Sequence, residues 1–267
     1  MKLTFFSLAS GSSGNCYYLG TSTGGILVDA GIDYRKISKI LNDYNIEFSS
    51  ISGILVTHDH ADHIRTIGVL GEKLHIPVYS TQKVHEGIAQ CRYINEKLVN
   101  SKRIIQKEEE FRVGDFLITA FDIPHDSSDC VGYHIVCGKH RFTLASDVGH
   151  ISETVANYIK KANHLILEAN YDEEMLKFGP YPDYLKKRVA GPTGHLSNQE
   201  AAEFLATNYT PELKNIWLCH LSRDNNHPDL AYKTINNRLF YEGVRVGKDV
   251  TLETLKRFNP SVIYEFE

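Results

Sequence analysis

The sequence predicts an α/β fold, and three observations lead to this prediction. Apolar runs typical of buried strands, such as Ile51 to Val56 and Ile216 to Cys219, alternate with segments of helical spacing, such as Tyr34 to Tyr44. Several of the apolar runs stop at a histidine or a carboxylate, as is typical of scaffolds that place functional groups at strand ends. With 267 residues, 42% of them hydrophobic, the chain can bury a large core. We therefore expect one domain that spans residues 1–267.

The composition excludes several classes of protein. A content of 23% charged residues and a net charge of −4 are typical of a globular protein rather than a fibrous or disordered one. The first apolar run is too short for a signal peptide and no run approaches a membrane span, so we expect a cytoplasmic protein without a membrane partner. The five cysteines include no C-x-x-C pair, which favours reduced thiols. The acidity does not exclude nucleic acid, because bound cations would reverse the local field. The sequence does not predict an oligomeric state.

The chain begins with strand patterns separated by a glycine-rich loop. The predicted strands are Lys2 to Leu8, Cys16 to Leu19 and Gly25 to Asp29. In the loop Gly11 to Asn15, the side chains of Ser12, Ser13 and Asn15 could bind a substrate phosphate on an anion-binding turn. An ordinary hairpin turn explains the same residues equally well.

Asp29 ends the third strand pattern, Ile26-Leu27-Val28-Asp29. An unpaired carboxylate at the end of a buried strand would be costly, so Asp29 needs a partner. The alternative is that Asp29 caps the helix that starts near Tyr34, since aspartate is a favoured N-cap.

The stretch V-T-H-D-H-A-D-H, from Val56 to His63, follows the next strand and begins a helix predicted from about Asp62 to Leu74. Imidazole nitrogens and carboxylate oxygens are ligands of borderline divalent metals. One ion cannot comfortably take four such donors, so His58 and His60 can serve one metal while Asp62 and His63 serve a second. A solvated polar loop is the alternative, and the length of the pattern H-x-H-x-D-H makes it the weaker one.

This stretch resembles the signature of the metallo-β-lactamase-fold hydrolases, and nearly the whole chain is similar to their YycJ/WalJ-type members. The resemblance implies a four-layer αβ/βα sandwich and two divalent metal ions, zinc or manganese, with iron also acceptable. It also implies that Asp29 orients a histidine of the metal loop by a hydrogen bond from outside the site.

The second quarter of the chain offers two more histidines. His85-Glu86 begins like the H-E-x-x-H zinc motif but lacks its last histidine, so we expect His85 on the surface. His125 follows the apolar run Phe116 to Ile123, and by resemblance it completes the histidines of the first metal. Ser127, two residues later, is a candidate substrate contact.

Asp147 follows a predicted hairpin, and the resemblance makes it the carboxylate shared by both metals, although it could instead cap the helix near Glu153 to Lys161. The strand His164 to Leu167 ends in Glu168, and the strand Ile216 to Cys219 delivers His220, which the resemblance makes the seventh metal ligand.

Residues Gly179 to Leu196 are predicted as an irregular stretch that mixes aromatic and basic residues. Such a mixture suits bases and phosphates of single strands or duplex ends, although a solvated surface loop is equally compatible. The candidate substrate contacts in the C-terminal third of the chain are Lys186, Lys187, Arg188 and Arg223.

The arrangement of Glu168, His195 and His220 is similar to the distal part of ribonuclease Z-like phosphodiesterases. This resemblance makes Glu168 and His195 the acid–base pair and, with Asp62, the residues expected to act in catalysis. It implies that hydroxide formed at the two metals attacks a phosphodiester while His195 protonates the departing oxygen.

The YycJ/WalJ likeness implies a nucleic-acid substrate, most specifically DNA degraded from the 5′ end towards the 3′ end. The spacing of residues does not distinguish DNA from RNA. An RNA-directed enzyme, a small cyclic-nucleotide or phosphodiester hydrolase, and a thioester or lactone hydrolase are the alternatives, and a non-catalytic metal-binding scaffold is a fourth.

Overall fold

The computed structural model describes residues 2–267, which form two mixed β-sheets of seven strands each. From one edge to the other, the first sheet consists of β14 (Tyr264–Phe266), β1 (Leu3–Ala9), β2 (Cys16–Gly20), β3 (Gly25–Val28), β4 (Ile51–Leu55), β5 (Val78–Ser80) and β6 (Lys102–Ile104). The second sheet consists of β13 (Thr251–Thr254), β12 (Asn215–Cys219), β11 (His164–Glu168), β10 (His140–Ala145), β9 (Val131–Cys137), β8 (Phe116–Asp122) and β7 (Glu110–Val113).

Helices connect the strands. They are α1 (Tyr34–Asp43), α2 (Ala61–Ile64), α3 (Gln82–Gln90), α4 (Glu153–Lys161), α5 (Glu173–Phe178), α6 (Asp183–Val189), α7 (Asn198–Thr207) and α8 (Pro228–Tyr241). Local sequence explains where several of them begin, because side chains accept hydrogen bonds from the first turn. Asp33 caps α1, Ser152 caps α4, and Ser197 forms a capping box with Glu200 at the start of α7.

The two sheets face each other and enclose one apolar layer. Phe5 of β1, Phe142 of β10 and Trp217 of β12 pack with ring centroids 4.6 to 6.1 Å apart. Successive residues of a strand point to opposite faces, and accordingly Phe6 packs on the outer side of the first sheet, together with Ile37 of α1.

The helices α4, α7 and α8 cover the outer side of the second sheet. The order of layers is therefore helix, sheet, sheet, helix, and the predicted four-layer αβ/βα sandwich is confirmed. Within residues 2–267, no helix combines the length and apolar character that a membrane span requires.

Parallel pairing brings the ends of several strands to one side of the molecule. In the first sheet β3 and β4 are parallel, and in the second sheet β10, β11 and β12 are parallel. The carboxyl ends of parallel strands share one edge of a sheet. The segments that follow these strands carry most of the predicted site residues.

Three local predictions were wrong. The stretch Gly179 to Leu196 contains the helix α6, whose short length gave no clear periodicity, and whose Leu185 and Val189 pack near Leu176 of α5. The helix expected from Asp62 to Leu74 is interrupted after α2 and ends in a π-helical turn, Val69–Lys73. His85 is buried rather than exposed.

The burial of His85 has a local cause. Its Nε2 lies 3.0 Å from the carbonyl oxygen of Arg103, so α3 uses this imidazole to pack against β6. The short strands β5, β6 and β7 were not predicted, and the last two lie within or beside a charged segment that carries little strand pattern.

Candidate active site

The histidine-rich stretch Val56 to His63 leaves β4 and enters α2, and backbone hydrogen bonds hold it in place. Asn15 N donates to Asp62 O at 2.8 Å, and Ala30 N donates to His63 O at 2.8 Å. The stretch passes so close to Gly31 that a Cβ there would lie 1.6 Å from Asp62 O. Only glycine fits at position 31.

Three residues at strand ends adopt a left-handed backbone. Asp29 follows β3 with φ of 59°, Asp147 follows β10 with φ of 57°, and His220 follows β12 with φ of 52°. This conformation is uncommon for residues other than glycine and costs of order 1–3 kcal/mol. At three strand ends the chain therefore adopts a strained conformation as it enters the region of the clustered side chains.

The first group of candidate ligands consists of His58, His60 and His125, whose donor atoms lie within 4.8 Å of one another. The side chain of His125 is fully buried. Its Nδ1 donates to Gly194 O at 3.0 Å, which leaves the lone pair of Nε2 directed away from that bond.

The second group consists of Asp62, His63 and His220, again within 4.8 Å of one another. His220 Nε2 lies 3.4 Å and His63 Nε2 lies 3.6 Å from Asp62 Oδ2. Asp147 lies between the groups, with Oδ2 3.2 Å from His63 Nε2 and Oδ1 3.7 Å from His125 Nε2. Asp147 caps no helix, since α4 is capped by Ser152.

Asp29 and Thr57 orient two of the histidines. Asp29 is fully buried and accepts hydrogen bonds from His63 Nδ1 at 2.7 Å and from Thr57 Oγ1 at 2.9 Å. Because the hydroxyl of Thr57 donates to Asp29, its oxygen can accept from His58 Nδ1 at 3.0 Å. Both imidazoles thereby present Nε2, rather than Nδ1, to the other candidate ligands. The alternative role of Asp29 as the cap of α1 is wrong, because Asp33 is that cap.

The site fits a divalent cation by two observations on its own atoms. His58 Nε2 is buried and, among the described residues, has no hydrogen-bond partner, which is costly for a polar atom unless another ligand takes it. Burial and the neighbouring His63 hold the pKa of His58 well below its usual value, so this imidazole is neutral and able to bind a metal.

The carboxylates give the site a negative field. Burial alone would lower the pKa of His220, but Asp147, Asp62 and Glu168 raise it to about 10. A concentration of buried carboxylates that favours positive charge, lined by imidazole and carboxylate donors, is the environment of a site for a divalent metal such as zinc.

Glu168 and His195 form a hydrogen-bonded pair at the edge of these groups. His195 Nδ1 donates to Glu168 Oε1 at 2.8 Å, and the side chain of His195 is 19% exposed. Glu168 is fully buried, and its Oε2 accepts from the backbone N–H groups of Val148 at 2.6 Å and Leu196 at 3.1 Å. Burial opposes protonation of His195, but the charge and hydrogen bond of Glu168 raise the pKa of His195 above its usual value.

The predicted substrate contacts differ widely in their surroundings. Three are exposed near the site loops: Ser12, Ser13 and Arg223. Asn15 is fully buried and its Nδ2 lies 3.0 Å from His63 Nε2, so its amide lies against the metal loop, and its role as a substrate contact stays a prediction. The hydroxyl of Ser127 donates to Asp129 O at 2.9 Å.

The basic residues of α6 are partly engaged within the protein. Lys186 Nζ donates to Lys177 O at 2.8 Å, and Arg188 forms an ion pair with Asp126 at 2.5 Å. Lys187 is exposed. Of the three, Lys187 is therefore the side chain with most freedom to meet a substrate.

Two residues that position ligands were not predicted from the sequence. These are Thr57, described above, and Asn170, whose Nδ2 donates to His220 O at 2.8 Å. Thr57 precedes the histidine motif directly, and a hydroxyl there was an available indication. Nothing in the spacing of Asn170 connects it with His220, fifty residues later.

The sequence and the fold are similar to those of known proteins. The family model described as β-lactamase superfamily domain matches residues 25–214. The chain is 36% identical to exodeoxyribonuclease YycJ of Bacillus anthracis over 248 residues, which are 93% of this chain and 93% of the relative. It is 36% identical to exodeoxyribonuclease WalJ of Streptococcus pneumoniae over 242 residues, 91% of this chain and 90% of the relative. The metallo-β-lactamase fold protein YhfI from Bacillus subtilis has a similar fold, with a TM-score of 0.73 and 18% identity over 99% of both chains.

Proposed function

The chain belongs to the β-lactamase superfamily, in the family of the exodeoxyribonucleases YycJ and WalJ, and from this premise we propose that it is a dinuclear-metal phosphodiesterase that degrades DNA from the 5′ end. The observation that carries the proposal is the pair Glu168–His195, joined at 2.8 Å beside two groups of metal donors. A hydrolase that requires only a metal-activated water does not need a further, partly exposed imidazole held by a buried glutamate.

We assign the donors to two ions. His58, His60 and His125 would hold one ion, whereas Asp62, His63 and His220 would hold the other. Asp147 would serve both ions, because one of its oxygens lies near His63 and the other near His125. When bound, such a pair of divalent cations lowers the pKa of water to about 7 and neutralises phosphate charge. The donor set accepts zinc or manganese, and iron as well.

His195 donates a proton to the leaving group. The hydrogen bond from its Nδ1 to Glu168 fixes the ring orientation, and the glutamate charge favours the imidazolium. Nε2 then carries the proton that neutralises the departing sugar oxygen. General acid catalysis of this kind contributes roughly 100- to 10,000-fold.

The buried carboxylate of Glu168 links this acid to the metal site. The same Oε1 that accepts from His195 also accepts from His220 Nδ1 at 2.8 Å. Glu168 therefore orients one metal ligand and the acid together, which keeps the acid at a fixed place relative to the phosphate.

The first test compares substrates. The wild-type protein, loaded with manganese or zinc, is assayed on bis-p-nitrophenyl phosphate and on a thioester, and then on 5′-labelled duplex DNA and on a structured RNA. We expect turnover of the phosphodiester and early release of labelled nucleotide from DNA. Faster thioester hydrolysis would contradict the reaction class, and release from RNA alone would contradict the choice of DNA.

Variants test the assigned acid. Glu168→Gln and His195→Ala should lose most of the rate, with His195→Ala keeping its metal content. The control is His227→Ala, which changes an exposed histidine that caps α8. A fully active His195→Ala enzyme would remove this residue from the mechanism.

A further inference from the structure

The helices α5 and α6 form a small structure at the border of the candidate site. Gly179, at the end of α5, lies against Asn225, since a Cβ on Gly179 would be 2.8 Å from Asn225 Oδ1. At the other end, Val189 O accepts from His195 N at 2.8 Å, directly beside the proposed acid. The pair of helices thus extends from the loop after His220 to the segment that carries His195.

Two aromatic side chains of this pair are exposed without an apolar surface to cover them. Phe178 at the end of α5 and Tyr184 in α6 are each 74% exposed. By contrast, Tyr181 and Leu185 pack against the small core formed by the two helices. The rings of Phe178 and Tyr184 are therefore not needed to hold the helices together, and both rings are open to solvent.

The charge around these rings is positive although the protein is acidic. Residues 177–188 contain four basic side chains and one acidic one, whereas the whole chain has a net charge of −4. Lys177 Nζ lies 5.1 Å from the centroid of the Phe178 ring. Tyr184 is four residues from Arg188 and so shares its face of α6, and Arg188 pairs with Asp126, next to His125.

Exposed aromatic rings among cations next to a phosphodiester site have the chemistry that binds unpaired nucleotides. A base would stack on the ring of either residue, and the lysine side chains would lie near the backbone phosphates. A duplex offers its bases only at its terminus, because interior bases are stacked on each other. A protein partner would instead match an apolar surface with few charges at its centre.

We propose that Phe178 and Tyr184 stack on unpaired bases at the end of a DNA strand, so that the enzyme prefers ends with a single-stranded overhang to blunt ends. This inference rests on the proposed function and specifies the substrate of the same site. Every base has a π-face, so stacking on these rings does not depend on the base sequence. The enzyme should therefore prefer unpaired ends whatever their sequence.

The experiment compares wild-type protein with Phe178→Ala, Tyr184→Ala and the double variant on three DNA duplexes. One has blunt ends, one has a 5′ overhang, and one has the same overhang built from abasic nucleotides, which keep the phosphates and lack the bases. The matched control is Tyr241→Ala, which removes an 82% exposed tyrosine from the end of α8. All variants change exposed side chains, and thermal unfolding checks that they remain folded.

We expect kcat/KM of the double variant on the normal overhang to fall roughly 5- to 150-fold, with little change on the abasic overhang. The wild-type protein should lose a similar factor when the bases are removed. Tyr241→Ala should behave like the wild type on all three duplexes.

Several results would overturn the inference. Equal wild-type rates on normal and abasic overhangs would show that only phosphates are bound. A double variant with wild-type rates that sediments at lower mass than the wild type would show that the rings join two copies of the chain. Hydrolysis of bis-p-nitrophenyl phosphate separates this outcome from failure of the proposed function: if the wild type hydrolyses it and the overhang effect is missing, only the inference about stacking fails.

Discussion

Replacing Asp29 with asparagine tests how strongly a residue outside the metal groups controls them. The asparagine would keep the shape of the side chain and tolerate the left-handed backbone at φ of 59°, which alanine would not. The carboxylate accepts from His63 Nδ1 at 2.7 Å and from Thr57 N at 2.9 Å. An asparagine amide has only one acceptor oxygen, so its N–H₂ group must face one of these two hydrogen-bond donors.

The consequence for His63 sets the expected magnitude. If the N–H₂ group of the asparagine faces His63, Nδ1 becomes the acceptor and the proton moves to Nε2, the atom that must bind the metal. Loss of such an outer partner typically lowers metal affinity or activity 10- to 100-fold, which corresponds to about 1.4 to 2.7 kcal/mol. We expect Asp29→Asn to lower the affinity for the metal assigned to Asp62, His63 and His220 by a factor in this range.

The assay is competition of the protein with a chelator for zinc or manganese, followed by the rate on bis-p-nitrophenyl phosphate at limiting and at excess metal. Excess metal should restore part of the rate, because the ligands themselves are intact. The control is Asp33→Asn, which alters the cap of α1, where asparagine serves as well as aspartate. If Asp29→Asn keeps metal affinity and rate within twofold of the wild type, the reasoning about His63 is refuted.

Three further predictions concern the site and the core. His60→Ala should lose metal retention and hydrolysis together, whereas His195→Ala should keep the metal and lose roughly 100- to 10,000-fold in rate, as measured by metal analysis of the purified variants and by turnover of bis-p-nitrophenyl phosphate. Burial lowers the pKa of His134 from 6.5 to about 4. Below pH 6.5 the unfolded chain therefore binds a proton that the folded protein binds only near pH 4. As the pH is lowered from 6.5 to 4, the free energy of unfolding should fall by at most about 3 kcal/mol. In urea denaturation, the free energy of unfolding of His134→Gln should depend less on pH than that of the wild type. Trp217→Ala should lower the free energy of unfolding by about 3 to 5 kcal/mol, and a loss below about 1 kcal/mol in denaturant titration would contradict its place between the sheets.

Many strands and helices could be predicted from the sequence, because they depend on interactions between neighbouring residues. The strand Ile51–Leu55 is apolar on both faces because it is covered on both, and its end is marked by the first histidines. The helix Glu153–Lys161 was predicted near these bounds, since helical spacing is a property of neighbouring residues, although its cap is Ser152 and not Asp147. Failures occurred where the determining contact is distant, as with His85 and its bond to Arg103.

For the site, the sequence by itself determined which side chains end the strands, because the switch from an apolar run to histidine or carboxylate is a property of neighbouring residues. Only the tertiary structure decided which of these side chains meet. His125 joins His58 and His60, and Glu168 joins His195 and His220, through the pairing of sheets and the close approach of loops that no local spacing encodes. The packing of the loops likewise decided that the buried amide of Asn15 lies 3.0 Å from His63 Nε2, because these residues are 48 positions apart in the chain.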